Sequence, residues 1–286
     1  MRKLLLISAL LMAALTARAQ VDLEKEFFAL PDSVTNAYLD SLDVQVTPPN
    51  DYWTAGVYGG ASMQMGYFNP DRNIQMQWVW PVYGFSVIRY YTMFGIFHNM
   101  GFEMGAQLNY EGYQFQTNKE TGYRSTESGA YKVVMKVPEA FMLSHFHVDF
   151  GEHFKLLAKL GIYGGYRMSI QRTLDDAYAS SETYQQYVNQ FRDYDRRWTY
   201  GVQGGAGMAL MFSPLEFHVN VQAKWGWGTF WNPDYNSPYY YRFAYPLDGA
   251  VTFGVYYQLT PRYGHTRSQL KKLARKMVQE QNQQHE

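Results

Sequence analysis

The segment 198–212, with the sequence WTYGVQGGAGMALMF, decides the fold through its alternation. Its even positions form a largely apolar series that begins with Trp198 and Tyr200 and ends with Phe212. Its odd positions are mostly small or polar residues, among them Thr199 and Gln203. Because side chains on a β-strand alternate between its two faces, the segment predicts a strand with one apolar and one polar face.

Two neighbouring segments repeat this alternation. In the range 217–231, one face carries Phe217, Val219, Val221, Ala223, Trp225, Trp227 and Trp231, and the other carries His218, Asn220, Gln222 and Lys224. In the range 155–171, Leu156, Ala158, Leu160, Ile162, Tyr166, Met168 and Ile170 oppose Lys155, Lys159, Tyr163, Arg167 and Gln171. Both ranges therefore predict strands of the same kind.

Alternation alone also fits a half-buried sheet in a soluble protein, but three features favour a membrane barrel. The segments are about 12–16 residues long, whereas globular strands average about five or six. Aromatic residues gather at the ends of the apolar faces, as they do at membrane interfaces. The polar faces carry full charges such as Lys155 and Lys224, which the core of a β-sandwich would not tolerate.

Five further segments complete an all-β, eight-stranded antiparallel up-and-down transmembrane β-barrel over residues 52–259. These segments are 53–66, 82–91, 101–115, 131–148 and 250–259. The third places Glu103, Gln107, Asn109 and Glu111 on its polar face, and the last places Val251, Phe253, Val255, Tyr257 and Leu259 on its apolar face. In 131–148, Pro138 predicts a bulge and a change of phase, because proline lacks a ladder donor.

The links between these strands predict the orientation. Three of them are short (92–100, 149–154 and 213–216), and four are longer (67–81, 116–130, 172–197 and 232–249). Bacterial barrels have short periplasmic turns and long outer loops, so both termini are expected in the periplasm.

The ends of the chain predict export and two periplasmic segments. A charged start, an apolar run over 4–15 and Ala17-Arg18-Ala19 indicate a signal peptide over 1–19, with a buried helix as the alternative. The segment that follows, 20–51, is acidic, with one lysine and six acids between 21 and 50. The tail 260–286 is a predicted basic helix with Leu270, Leu273, Ala274 and Met277 on one stripe. The two segments are expected to dock on each other, or the helix to lie on anionic lipid.

The composition excludes several classes of protein. Cysteine is absent, so there is no disulfide and no lipid-bearing cysteine. The 25 basic residues balance the 25 acidic ones, which argues against a nucleic-acid partner. The mean hydropathy of −0.39 does not suggest a helical membrane protein, whereas 18% aromatic residues and 24 glycines suit a barrel.

The chain resembles the PorT-like outer-membrane barrel family of Bacteroidetes-type bacteria. The resemblance lies in Ala19-Gln20 after the signal, in Val137-Pro138-Glu139, in the stretches 160–167 (LGIYGGYR) and 200–207 (YGVQGGAG), and in the pattern of the last strand. It covers roughly residues 53–259. It implies a membrane barrel, and some members of the family serve protein secretion across the outer membrane by the type IX route. The segment 21–51 and the C-terminal extension set this chain apart from the simplest members.

Charged residues on the polar faces are the first candidate site. They are Glu103, Glu111, Glu139, Lys155, Lys159, Arg167 and Lys224. An eight-stranded barrel is just wide enough to be filled by side chains, and buried charges need partners, so these residues predict an internal ion-pair network. Such a network argues against a diffusion pore. The alternative is a narrow transporter or ligand-uptake barrel.

Histidines raise a metal site or an enzyme as further alternatives. His145, His147, His153 and His218 are expected at similar levels, but their spacing is common by chance and no partner carboxylate is assured. A catalytic histidine base is expected near the outer rim of such enzymes, and all seven histidines map elsewhere. The sequence therefore predicts no metal, no cofactor and no enzymatic activity.

The outer loops are the second candidate site, because tyrosine and arginine are typical of binding hot spots. The candidates are Tyr184, Tyr187, Arg196, Tyr239, Tyr240, Tyr241 and Arg242. Packing of one loop on another is the alternative use of these residues. The expected function is an accessory, assembly, secretion-related or surface-binding role, with outer-membrane lipid and other envelope proteins as partners.

Overall fold

The computed structural model describes residues 51–93, 97–150, 153–232, 243–260 and 262. Their regular structure is almost entirely strand: β1 (Tyr52–Asn69), β2 (Ile74–Gln75), β3 (Gln77–Met93), β4 (Phe97–Phe115), β5 (Ala130–Phe150), β6 (Phe154–Tyr166), β7 (Ser169–Leu174), β8 (Trp198–Phe212), β9 (Leu215–Gly226) and β10 (Phe243–Gln258). A short helix, α1 (Glu182–Gln185), lies between β7 and β8. The signal peptide and nearly all of the terminal segments 20–51 and 260–286 lie outside the described residues.

The long strands close into a ring of eight. Each pairs antiparallel with its neighbours in the order β1, β3, β4, β5, β6, β8, β9 and β10. The ring is closed because β10 returns to β1, with Thr54 opposite Gln258 and Asn69 opposite Phe243. Short β2 pairs with the end of β4, and β7 continues the line of β6 along β5. The predicted eight-stranded antiparallel barrel is confirmed.

The outer wall of this ring is apolar and exposed. On β6 and β8, for example, Leu160 is 68% exposed and Trp198 is 66% exposed. Soluble proteins rarely expose such a large continuous apolar surface, whereas a barrel in lipid requires one. The wall is therefore that of a membrane-spanning barrel. Among the described residues, no helix is long and apolar enough to cross a membrane.

The predicted alternation holds over most of the wall. The even side chains of β8 are exposed or half-buried, and its odd ones are mostly buried in the lumen. The apolar faces predicted for β9 and β10 also point outward, from Phe217 to Trp227 and from Val251 to Leu259. The prediction for Trp231 is wrong: β9 ends at Gly226, and Trp231 is buried in the aromatic cluster at the end of the barrel.

The predicted change of phase at Pro138 is also wrong. On β5 the odd positions from Val133 to His147 are all buried, without an interruption. On the side of β5 that faces β6 and β7, Glu139 is paired with Gly165 and the next paired residue is Lys136, opposite Ser169. Pro138 therefore has no ladder partner on that side, and the irregularity lies in the neighbouring strand instead.

That irregularity is the break between β6 and β7. Arg167 and Met168 lie outside either strand, and the phase is reversed beyond them. Ile170 is buried and Gln171 is exposed, which is the opposite of the predicted facing. From Gly165 to Ser169 the chain advances four residues, whereas the paired positions on β5 advance only three, from Glu139 to Lys136. This one extra residue reverses the alternation, because a strand changes face with every residue.

The barrel has two distinct ends. At the turn end, short links join β3 to β4, β5 to β6 and β8 to β9. At the loop end lie the longer links 116–129, 175–197 and 227–242, as predicted, whereas the predicted first long link, 67–81, is shortened to 70–76 because β1 and β3 extend into it. One buried cluster, with Tyr52, Tyr90 and Leu157, lies towards the turn end, and an aromatic cluster with Phe68 and Tyr113 lies towards the loop end.

Candidate functional site

The lumen holds all seven of the predicted inward charges. Six of them form three ion pairs: Glu103 with Lys159 at 2.6 Å, Glu111 with Arg167 at 2.8 Å, and Glu139 with Lys224 at 2.5 Å. The seventh, Lys155, lies 3.7 Å from Asp149, which the sequence analysis did not select. Two of these pairs join β4 to β6 or to the residue after it, and the third joins β5 to β9, so each pair reaches past the neighbouring strand through the lumen.

The pair nearest the loop end is fully buried. Arg167 donates from Nε to Oε2 of Glu111, and the hydroxyl of Thr199 donates to the other carboxylate oxygen at 2.7 Å. The two terminal nitrogens of Arg167 donate to the carbonyl oxygens of Arg196, Thr229 and Gly228 at 2.8, 2.9 and 3.3 Å. The guanidinium therefore holds the end of the loop 175–197 and the start of the loop 227–242 together.

The central pair has a third charged member. The ammonium group of Lys224 lies 3.6 Å from Asp248 as well as against Glu139. Gln107 donates to the second carboxylate oxygen of Glu139 at 2.7 Å. Sequence reasoning missed Asp248 because it placed this residue in a loop. The structure places it on β10, opposite Lys224 of β9.

A hydrogen-bonded group continues the network towards the turn end. Ser86 donates to Glu103 at 2.7 Å, and its hydroxyl also lies 2.9 Å from that of Tyr256. Closer to the turn end, a carboxylate oxygen of Glu216 lies 2.9 Å from the Nε2 atom of His218. Glu216 was missed because it fell in a predicted turn, whereas it is the second residue of β9 and points inward.

Aromatic rings cover the last lysine at the turn end. The ammonium group of Lys155 lies 3.6 Å from the ring centre of Tyr90 and donates to the hydroxyl of Tyr52 at 2.8 Å. The two tyrosine rings stack at 4.6 Å. Arg262 approaches from the chain that follows β10 and lies 3.2 Å from Asp149. Cation–π contacts thus supplement one ion pair at this end.

The histidines do not form a metal site within the described residues. His145 and His147 lie side by side with ring centres 6.0 Å apart, and both are buried. Their ring nitrogens have no hydrogen-bond partner in this part of the chain. No group of three or more metal-ligating side chains is found among the residues that the structure describes.

One small cavity lies among the ion pairs of the lumen. A cavity of about 20 Å³ lies between Tyr58, Glu103 and Lys159, which is room for about one water molecule. The Glu103–Lys159 pair lines this cavity, and the side chains of the other two pairs are also buried in the lumen.

An aromatic cluster closes the loop end. It contains Phe68, Tyr113, Phe115, Phe230 and Trp231, with ring centres 5.0–6.5 Å apart. Above it, Arg172 donates to Asp195 at 2.5 Å and to the carbonyl oxygens of Tyr187 and Gln190 at 2.7 Å each. The loop 175–197 is thereby attached to β7.

The predicted loop-binding residues take part in this packing where they are described. Tyr184 meets Tyr178 edge-on at 5.2 Å, and the guanidinium of Arg192 lies 4.9 Å from the ring of Tyr187. Arg196 accepts a hydrogen bond through its backbone carbonyl. Tyr239, Tyr240, Tyr241 and Arg242 lie outside the described residues. The aromatic side chains that the loops do expose include Tyr123 and Tyr194, which sequence reasoning did not select.

No family model matches the chain, and no curated protein matches it in sequence. Among solved structures it is similar to the attachment invasion locus protein Ail of Yersinia pestis, with 9% identity, 73% of this chain and 99% of that chain covered, and a TM-score of 0.34. It is also similar to the outer membrane protease OmpT from Escherichia coli, with 8% identity, 76% and 99% coverage and a TM-score of 0.36. Neisserial surface protein A is similar as well, with 10% identity, 72% of this chain and 97% of that chain covered, and a TM-score of 0.33. At these TM-scores we transfer no function, and the fold rests on the strand pairing described above.

Proposed function

We propose that this chain is a non-enzymatic outer-membrane β-barrel that acts through its two ends, in an accessory, assembly, secretion-related or surface-binding role. The observation that carries the proposal is the set of ion pairs inside the lumen. Three buried ion pairs cross it, and the aromatic cluster lies over its loop end. A barrel whose interior is occupied by its own side chains offers its loops and terminal segments to partners rather than a passage.

The buried charges also argue against catalysis in the lumen. A general acid or base has to come within hydrogen-bond distance of its substrate. Glu103, Glu111 and Glu139 are each buried and engaged by a cation, so none of them is open to a substrate. The resemblance to PorT-like barrels adds protein secretion as the specific accessory role that we propose to test first.

Single-channel recording tests the closed lumen. Purified full-length protein in a planar bilayer should give no unitary current steps. A matched variant, Lys224→Ser with Glu139→Ser, replaces the central pair by small side chains and should increase the ion leak. Regular current steps from the unaltered protein would instead favour the second candidate, a narrow transporter or ligand-uptake barrel.

Deletion of the gene tests the accessory role. We expect surface and secreted proteins to be lost or retained in the periplasm, and the full-length chain to restore them. A variant that lacks the tail 260–286 should restore fewer of them if the periplasmic segments bind the partner. An unchanged set of surface and secreted proteins would refute the secretion-related role.

Protease treatment of intact cells tests the orientation. The loop 175–197 should be cut from outside, while an epitope at residue 286 should be protected until the cells are permeabilised. Antibody access to that epitope on intact cells would reverse the assignment of the two ends.

A further inference from the structure

The outer wall has a groove of about 430 Å³ beside the break between β6 and β7. Its floor consists of small or short residues that face outward, Pro138, Ala140 and Gly164. Its walls are the rings of Tyr166, Trp198 and Tyr200. The groove is open along its outer side.

The groove is open because its floor has no large side chain to fill it. A Cβ atom added at Gly164 would meet nothing closer than the carbonyl oxygen of Thr199 at 4.0 Å. Beyond it, the pairing of β5 with β6 ends at Gly165, so the wall has no regular strand there until Ser169. The depression therefore belongs to the backbone of the barrel and does not depend on one side-chain rotamer.

Two cations lie close in sequence to the residues that line the groove, Arg197 next to Trp198 and Lys136 near Pro138. The guanidinium of Arg197 lies 5.0 Å from the ring centre of Tyr166, and its Nε donates to the carbonyl oxygen of Arg167 at 3.0 Å. Lys136 is two residues from Pro138 on the same outward face of β5. Neither side chain forms an ion pair with a residue that the structure describes. Their positive charge is thus available to an anion outside the protein.

The depth of the groove fits the boundary between headgroups and acyl chains. Trp198 and Tyr200 are at the loop end of β8. On the neighbouring β9, Trp225 is opposite Val202, and the backbone N–H of Trp227, just beyond β9, donates to the carbonyl oxygen of Tyr200. Rings of this kind mark the membrane interface in barrels. An apolar groove that begins at this level, with arginine and lysine above it, matches an acyl chain below a phosphate, because both cations bind phosphate through charged hydrogen bonds.

We propose that the groove binds one acyl chain of lipid A and that Arg197 and Lys136 bind its phosphate. This inference rests on the proposed function in one respect: the loop end has to face the outer leaflet, where lipid A is found. A second copy of the chain would need a larger flat contact than this narrow groove supplies.

Native mass spectrometry of the full-length protein with added lipid A tests the apolar part. We expect one lipid A to stay bound after the detergent is removed. Gly164→Leu and Ala140→Leu, which fill the groove, should each weaken binding about tenfold or more, since an excluded acyl chain loses its buried area. Ala158→Leu is the matched control, because Ala158 faces lipid on the same strand as Gly164 and is not part of the groove. Circular dichroism confirms that each variant is folded.

The charged part is tested by Arg197→Gln with Lys136→Gln, which should also weaken binding about tenfold. Binding that is unchanged in both groove-filling variants would overturn the proposal. Loss with Gly164→Leu but none with the charge variant would overturn the phosphate contact. Equal binding of phosphatidylglycerol would overturn the choice of lipid A, and dimers that vanish with Gly164→Leu would identify a second copy as the occupant. None of these outcomes depends on conductance or on the gene deletion, so failure here leaves the proposed function to its own tests.

Discussion

The lumen and the loop cluster above it both contain arginine–carboxylate pairs, but the two regions place them in different surroundings. Arg167 and Glu111 in the lumen have 0% exposed side chains, and every nitrogen of that guanidinium has an acceptor. Arg124 and Asp175 in the loops are 29% and 20% exposed. The same pair of charged groups therefore fills and fixes the interior in one region, and lies in partial contact with water in the other.

The largest expected effect comes from removing one member of the lumen pair. Arg167→Met leaves Glu111 buried without its cation, and such a loss costs about 3–5 kcal/mol. It also leaves three loop carbonyl oxygens without their donor. Urea unfolding of the protein in lipid vesicles should show this decrease in the free energy of unfolding.

The matched control removes both charges. Arg167→Met with Glu111→Leu should recover part of the lost stability, because no uncompensated charge is then buried. A double variant that is less stable than the single one would show that the hydrogen bonds of Arg167 to the loops, and not its charge, determine the effect.

An arginine on the lipid-facing wall gives the next largest effect. Ala206 is near the middle of β8 and exposed on the outer wall. Ala206→Arg should lower the stability in a bilayer by about 2–4 kcal/mol, since a charge near the midplane of the membrane has no partner. Ala206→Leu adds bulk without charge and should have little effect. Equal stability of the two variants would contradict the placement of this residue near the midplane.

Much of the barrel follows from the sequence because a single physical rule governs its wall. Lipid outside and packed polar groups inside impose a period of two, and Trp198–Phe212 shows it over its whole length. The seven inward charges could be selected for the same reason. Their partners could not, because the pairing of Glu111 with Arg167 depends on how the sheet closes.

The rule fails at the loop end of the strands. Residues 243–249 contain proline and glycine, so the sequence predicts a loop there. In the structure they pair with β1, and Asp248 lies next to Lys224. Tertiary pairing there overrides local turn propensity. At Ile170 and Gln171, one extra residue between β6 and β7 reversed the facing, and nothing in the local pattern indicated it. Trp231 was assigned to the wall because it is aromatic, although it is buried in the aromatic cluster.

The smallest expected effect is that of the partly exposed loop pair. The Nε atom of Arg124 lies 3.3 Å from a carboxylate oxygen of Asp175, but without hydrogen-bond geometry. The same guanidinium lies 4.0 Å from the ring centre of Tyr131, so Arg124→Met alone would also remove a cation–π contact. A double-mutant cycle of Arg124→Met and Asp175→Asn separates the ion pair from the ring contact. The ring contact is lost equally in the single Arg124→Met variant and in the double variant, so it cancels from the coupling energy. We expect a coupling energy of about 0–1 kcal/mol that decreases in high salt, as for exposed ion pairs. The cycle between Arg167 and Glu111 should give a larger coupling that salt changes little. Couplings of equal size in the two regions would mean that burial is not what separates them.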